Sequence, residues 1–267
     1  MLKEFKLKMI IITMAIYKNW LIKIEDGIFW LYLNNPNKKN AFDIAVVNEL
    51  EQILEYEIKE KSDIRVLVLT TSLDDIFTVG LDIKWLVTLE ESKAGDMTRK
   101  LQNLFTKFEE LSIPVIAAVK GLNLTAGFEL MLCADIIIAA DNAKFGQVET
   151  KWGMTPAAGA TQRLVRLIGP MKAKELIYTS RIINASEALN IGLINEIVPL
   201  VDIDSKVKEL ASMMIKNSGR AIALSKQLIQ MGIYTNKEGF RMEGEAFQER
   251  FSSGEPKRKL KKFLERS

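Results

Sequence analysis

The sequence predicts a wound α/β sheet, and three short apolar runs carry that prediction: residues 66–69 (Val-Leu-Val-Leu), 115–119 and 136–140. Each has strand length and none alternates with polar residues, as expected of strands covered on both faces. Between the first two lie a loop over residues 71–82 and a helical pattern over residues 92–111. That β-α-β progression points to strands wound into one sheet with helices packed against it.

The other elements follow in chain order. Lys3, Lys6 and Lys8 before an apolar run at residues 9–16 imitate a secretory leader, but the run is interrupted by Thr13 and no small-x-small cleavage site precedes Tyr17. Residues 1–13 are therefore expected to be a dispensable N-terminal extension, with Met14 or Met9 as an alternative start. Residues 21–24 and 28–33 flank Glu25-Asp26-Gly27, and Asp-Gly between two β-rich runs predicts a tight hairpin. Asn34-Asn35-Pro36-Asn37 stops the second strand. Residues 44–58 carry Val46, Val47, Leu50, Ile53 and Leu54 at helical spacing, with Asp43 as the N-cap. After Phe145, Gly146-Gln147-Val148-Glu149 leads into a Gly/Pro/Ala loop at residues 153–160. Helices are expected at 161–168, 171–178 and 186–190, and an extended segment at 194–198, ended by Pro199. Beyond residue 200 the pattern is helical throughout, at 202–216, 219–231, 237–251 and 256–265. The expected organisation is a core over residues 14–200 and a helical C-terminal region over residues 201–267, without an internal repeat of fixed period.

Composition removes several chemistries. The 267 residues include no histidine, which excludes Ser-His-Asp and Cys-His nucleophilic sites and most zinc sites. Proton transfer falls to carboxylates, Lys or Tyr. The single cysteine, Cys133, lies in an apolar stretch, so no intrachain disulfide forms and a reducing compartment, the cytoplasm, is expected. A balance of 37 basic against 34 acidic residues does not require a polyanionic partner, and no stretch has the length of a membrane span. Glycine-rich nucleotide motifs and metal-ligand clusters are also missing from the sequence.

What remains points to one stretch, Gly121-Leu122-Asn123-Leu124-Thr125-Ala126-Gly127-Phe128-Glu129-Leu130. A strand enters it and a helical pattern leaves it, so amides near Ala126 and Gly127 sit unpaired at a helix start beside the carboxylate of Glu129. Fixed donors next to an acid or base suit the stabilisation of an enolate. Two further features join it. Phe77-Thr78-Val79-Gly80-Leu81-Asp82-Ile83-Lys84 can present the amide of Leu81, or it is a connector in which Asp82 caps a helix. Glu149, like Glu129, follows a buried strand, so each carboxylate either enters a pocket that raises its pKa or lies exposed on a turn. The basic tract at residues 257–263 lies on a helical pattern in which Leu260, Phe263 and Leu264 form one apolar stripe. It reads as an amphipathic helix docked on its own domain, or as a phosphate- or nucleic-acid-binding patch.

Taken together, Asn35-Pro36 with Asn40-Ala41, Val79 to Lys84, Gly127-Phe128-Glu129-Leu130, Phe145 to Glu149, and Pro156 through Thr161-Gln162-Arg163-Leu164 resemble the enoyl-CoA hydratase/isomerase (crotonase) family from about Tyr17 onward. The resemblance implies a crotonase-like spiral of ββα units with a helical C-terminal region used to form a homotrimer or a dimer of trimers. It implies an acyl-CoA thioester as substrate, no prosthetic group and no metal. The thioester oxygen would lie between the amides of Leu81 and Ala126. Glu129 would activate the attacking water and Glu149 would protonate the α-carbon, giving a 3-hydroxyacyl-CoA. Family isomerases typically keep one of the two glutamates. The alternatives are double-bond isomerisation or other enolate chemistry on the same fold and, in a different class, a CoA-thioester- or RNA-binding protein without turnover; a nucleic-acid partner is not expected. By the same resemblance, contacts to CoA and the thioester would come from Lys38, Lys39, Ala41, Val79, Gly80, Asp82, Ile83, Gly127 and Ala157. Phe247 and Phe251 would meet a neighbouring subunit's ligand. The sequence departs from the family pattern at Leu81, where Ala is usual, and at Thr125-Ala126, where Gly is usual.

Overall fold

The structure, a computed structural model, describes residues 11–13, 17–58, 63–233 and 238–266. The strands are β1 (Ile11–Thr13), β2 (Trp20–Glu25), β3 (Ile28–Leu33), β4 (Val66–Thr71), β5 (Ile76–Thr78), β6 (Val115–Val119), β7 (Leu122–Leu124), β8 (Ile136–Ala140), β9 (Lys144–Gly146), β10 (Ile182–Asn184) and β11 (Glu196–Val198). The α-helices are α1 (Ile44–Gln52), α2 (Ile83–Thr88), α3 (Ala94–Glu109), α4 (Thr125–Met131), α5 (Ala160–Thr179), α6 (Ala185–Asn190), α7 (Ile203–Ile215), α8 (Gly219–Ile233), α9 (Glu238–Ser252) and α10 (Glu255–Leu264).

The three apolar runs are β4, β6 and β8, neighbours in a sheet ordered β1-β2-β3-β4-β6-β8-β11. Pairing is parallel from β3 onward, with Phe29 opposite Leu67 and Leu67 opposite Val115. Their lack of alternation has a simple cause. Leu67, Leu69, Val115, Ala117 and Val119 enter the main core with α1, α3 and α4. Val66, Val68, Ile116, Ala118 and Ile138 enter a second core closed by Ile203, Val207 and Ala211 of α7. Period two is present, but both faces are apolar. Helix α7 thus packs on the sheet itself, although it lies beyond the compositional boundary at residue 200.

Short strands form a second sheet ordered β10-β9-β7-β5. The chain repeatedly places one strand in the large sheet, the next in the small sheet, and then a helix. Thus β4-β5 leads to α2 and α3, β6-β7 to α4, and β8-β9 to α5. This is the spiral of ββα units.

Local chemistry explains the element ends. Asp26 and Gly27 have φ of 52° and 79°, the left-handed pair of a two-residue hairpin. Asp43 caps α1 by accepting from the amides of Ala45 and Val46, and the helix continues as a π-turn at Ile53–Ile58. Helix α5 is two helical segments joined at Gly169, where φ and ψ are 76° and 163°, before Pro170. That break falls between the two helices expected from the sequence. Residues 11–13 pair with β2 as an edge strand, so this part of the expected extension belongs to the sheet; Lys3, Lys6, Lys8, Met9 and Met14 lie outside the described residues. No described helix is long and apolar enough to cross a membrane.

Candidate active site

The Leu81 amide is aimed by a short ladder between two loops. Phe42 N–H donates to Gly80 O at 2.7 Å, and Asp82 N–H donates to Phe42 O at 2.8 Å. Backbone groups of an extended segment alternate sides, so the Leu81 N–H faces away from Phe42. It meets Thr125 Oγ1 at 3.2 Å. Asn40 fixes the ladder from the buried side, its Nδ2 donating to Thr71 Oγ1 at 2.8 Å and to Phe77 O at 2.9 Å. Thr78 Oγ1 returns a hydrogen bond to Asn40 O at 2.7 Å.

This ladder gathers most of the residues expected near CoA. Lys38 and Lys39 are exposed, Ala41 and Gly80 are buried, and Val79, Asp82 and Ile83 are half-buried. Lys38 is already engaged, since its ammonium bridges Asp43 at 2.7 Å and Asp82 at 2.9 Å. Those two hydrogen bonds raise its pKa. The same two carboxylates cap α1 and α2 through their other oxygens. Asp82 is therefore a helix cap at the turn that carries Leu81, as the connector reading of that loop expects.

Helix α4 brings the second half. Ala126, its second residue, carries an amide without an intrahelical acceptor. Gly127 is demanded by packing: a Cβ there would lie 1.7 Å from Thr78 Cγ2. Glu129 stands one helical turn beyond Thr125, on the same face. Its Oε1 accepts from Ala158 N–H at 2.9 Å and from Ala160 N–H at 3.0 Å.

That cradle is held from outside. Gln102 Nε2 donates to Ala157 O at 2.9 Å, and Arg163 donates to Ala158 O at 3.0 Å. A planar trans peptide points its C=O and N–H in opposite directions. Gripping the Ala157 carbonyl from α3 therefore turns the Ala158 N–H toward Glu129. Arg163 is itself fixed by Glu109 at 2.8 Å. These positioning roles of Gln102, Arg163 and Asn40 escaped sequence reading. The available signal was a polar or charged residue, such as Arg163 before Leu164, in an otherwise apolar helical face.

Burial is the largest influence on Glu129 and raises its pKa to about 7, against the opposing pull of the Ala160, Ala158 and Ala157 amides and the Arg163 charge. Glu149 opens a 3₁₀ turn at Glu149–Trp152 and is also buried. Its Oε1 accepts from Gln147 Nε2 at 2.7 Å. Phe128 and Phe145, neighbours of the two carboxylate elements, pack with ring centroids 6.2 Å apart. One loop, residues 153–159, joins the turn of Glu149 to the amides around Glu129. The arrangement combines a buried carboxylate poised near neutral pH, a second buried carboxylate and an aimed amide.

Other expectations are resolved differently. Phe247 and Phe251 stack on each other with centroids 5.6 Å apart and are 1% and 0% exposed. They belong to this chain's own core. Leu260 of α10 is fully buried and Phe263 meets Trp152 at 4.8 Å, so the apolar stripe docks on its own domain. Cys133 is buried and its thiol pKa is pushed up by that burial. A cavity of about 610 Å³ opens between α8 and the α4–α5 region, lined by Cys133, Asp135, Arg163 and Lys226. Leu81, Ala126, Glu129 and Glu149 do not line it.

The enoyl-CoA hydratase/isomerase family model matches residues 23–267. The chain is 36% identical to a crotonyl-CoA hydratase of Syntrophomonas wolfei, over 94% of this chain and 96% of that protein. It is also 36% identical to a short-chain-enoyl-CoA hydratase of Clostridium acetobutylicum, over 93% and 95%. Among solved structures, an enoyl-CoA hydratase from Bacillus anthracis superposes with a TM-score of 0.78 at 34% identity, covering 89% of this chain and 90% of that one. Sequence, ladder, cradle and fold converge: the chain belongs to the enoyl-CoA hydratase/isomerase family.

Proposed function

We propose that the protein adds water across the double bond of a 2-enoyl-CoA thioester to give a 3-hydroxyacyl-CoA. The observation that carries this reading is Glu129, fully buried, with a pKa near 7, one helical turn from Thr125 and the ladder that aims Leu81. A general base is most effective when its pKa lies near the working pH. The names of the two relatives support the reaction and a short acyl chain.

In this mechanism the thioester oxygen accepts from the Leu81 and Ala126 amides. Glu129 takes a proton from water as its oxygen bonds to the β-carbon, and the electron pair of the double bond moves onto the thioester as an enolate. Preorganised amides stabilise that charge, each contributing on the order of 3 kcal/mol. Glu149 then delivers a proton to the α-carbon. Two carboxylates favour hydration over double-bond migration, which needs one. Lys39, Ala41, Val79, Gly80 and Ile83 would receive the CoA end of the substrate, with Lys38 weakened for that task by its two aspartates. Coenzyme A enters as part of the substrate, and the reaction asks for no prosthetic group. Assembly as a homotrimer or dimer of trimers and a cytoplasmic location belong to the same proposal, supported by exposed apolar side chains such as Met171 and Tyr178 and by the lone buried cysteine.

The test follows loss of the conjugated-thioester absorbance of crotonyl-CoA. Glu129→Gln and Glu149→Gln are each expected to lower kcat by roughly 10²-fold or more. Rates equal to the unmodified enzyme would remove both roles, and faster turnover of a 3-enoyl-CoA would favour isomerisation.

A further inference from the structure

Thr125 stands where the family pattern has glycine, in a left-handed conformation with φ of 47°. That region is unfavourable for a β-branched residue, and nothing in the local sequence asks for it. Its side chain is buried against the Leu81 loop. A Cβ on Gly80, which has φ of +89°, would lie 1.6 Å from Thr125 Oγ1. The hydroxyl accepts from the Leu81 N–H at 3.2 Å. On the hydratase reading, that amide is one of the two donors meant for the substrate.

We propose that Thr125 is a specificity-determining residue whose hydroxyl is an internal stand-in for the thioester oxygen, occupying the Leu81 amide until a substrate carbonyl displaces it. A half-buried amide without an acceptor is costly, and the family's glycine has no side chain to supply one. Here Thr125 supplies that acceptor from within the chain. A carbonyl at the thioester position must exchange one acceptor of the Leu81 amide for another, so it gains less than it would at an open amide. A ligand without that carbonyl leaves the Thr125–Leu81 bond in place. The hydroxyl therefore lowers affinity for thioesters selectively, and because it leaves before chemistry begins, it acts on KM rather than on kcat.

The test compares two CoA derivatives on the full-length protein by calorimetry: butyryl-CoA, a non-reacting thioester, and S-butyl-CoA, the thioether without the carbonyl. In Thr125→Ala and Thr125→Gly, butyryl-CoA is expected to bind about fivefold more tightly, the worth of one ordinary hydrogen bond, while S-butyl-CoA is unchanged. Thr125→Ser retains the hydroxyl and restores the original ratio of the two affinities. Two hydroxyl-free variants guard against misfolding of either, since glycine adopts this φ without strain. Butyryl-CoA binding no tighter in the folded variants, or the thioether gaining equally, would overturn the proposal. Failure of the unmodified protein to bind either compound would instead overturn the hydratase reading on which it rests.

Discussion

Burial of Glu129 ties stability to pH in a direction opposite to that of a surface carboxylate in an ion pair. Below its ordinary value of 4.5 the group is protonated in both folded and unfolded chains. As pH rises from 4.5 toward 7, the unfolded chain releases the proton while the fold retains it, so stability falls. Above 7 the loss is complete and amounts to roughly 3 kcal/mol, from 1.36 kcal/mol per pKa unit. Glutamine keeps the oxygen that accepts from Ala158 and Ala160 but never ionises. Glu129→Gln is therefore expected to melt above the unmodified protein at pH 8 and close to it at pH 5. A variant less stable at pH 8 would show that the ionised carboxylate is well accommodated. With that carboxylate as the base of the proposed reaction, kcat/KM is expected to rise with pH through about 7. Both glutamates and the Leu81 loop were legible as residues. The positioning roles of Gln102 and Arg163 were not, because their contribution is to hold carbonyls of a loop that only the fold brings to them.

Among the elements, α10 offers a clean contrast between its two faces. Leu260 is fully buried while Lys261 and Lys262 are exposed, and Lys259 pairs with Glu255 on the same helix. Leu260→Ala is expected to cost about 2–4 kcal/mol in urea unfolding, from lost burial and the cavity left behind. Lys262→Ala should change stability by less than about 0.5 kcal/mol. Equal effects would mean that the stripe is not what docks the helix. Long amphipathic helices such as α3 and α7 were readable because their stripes persist for several turns. The strands of the small sheet were not: β5, β7, β9 and β10 have three residues each, too few for a period to appear. Thr125 was readable as a departure from glycine, whereas its bond to Leu81 depends on two loops meeting.

At the scale of the molecule, the proposed trimer is the expectation most open to direct measurement. Met171 is 83% exposed and Tyr178 71% exposed on α5, and Val201 is 88% exposed before α7. Light scattering at micromolar concentration is expected to give three or six times the chain mass of 30.2 kDa; a monomer would contradict the assembly. The sequence by itself determined the α/β class, the hairpin, the helical C-terminal region, the absence of histidine chemistry and the two carboxylates, because each depends on residue type and short-range periodicity. Only the tertiary structure decided that the β strands sort into two sheets, that Phe247 and Phe251 face inward and that Lys38 is spent on two helix caps. It alone brought the Thr125 hydroxyl to the Leu81 amide. Those outcomes depend on which groups meet across long stretches of chain, where desolvation and hydrogen-bond satisfaction select partners that no local pattern encodes.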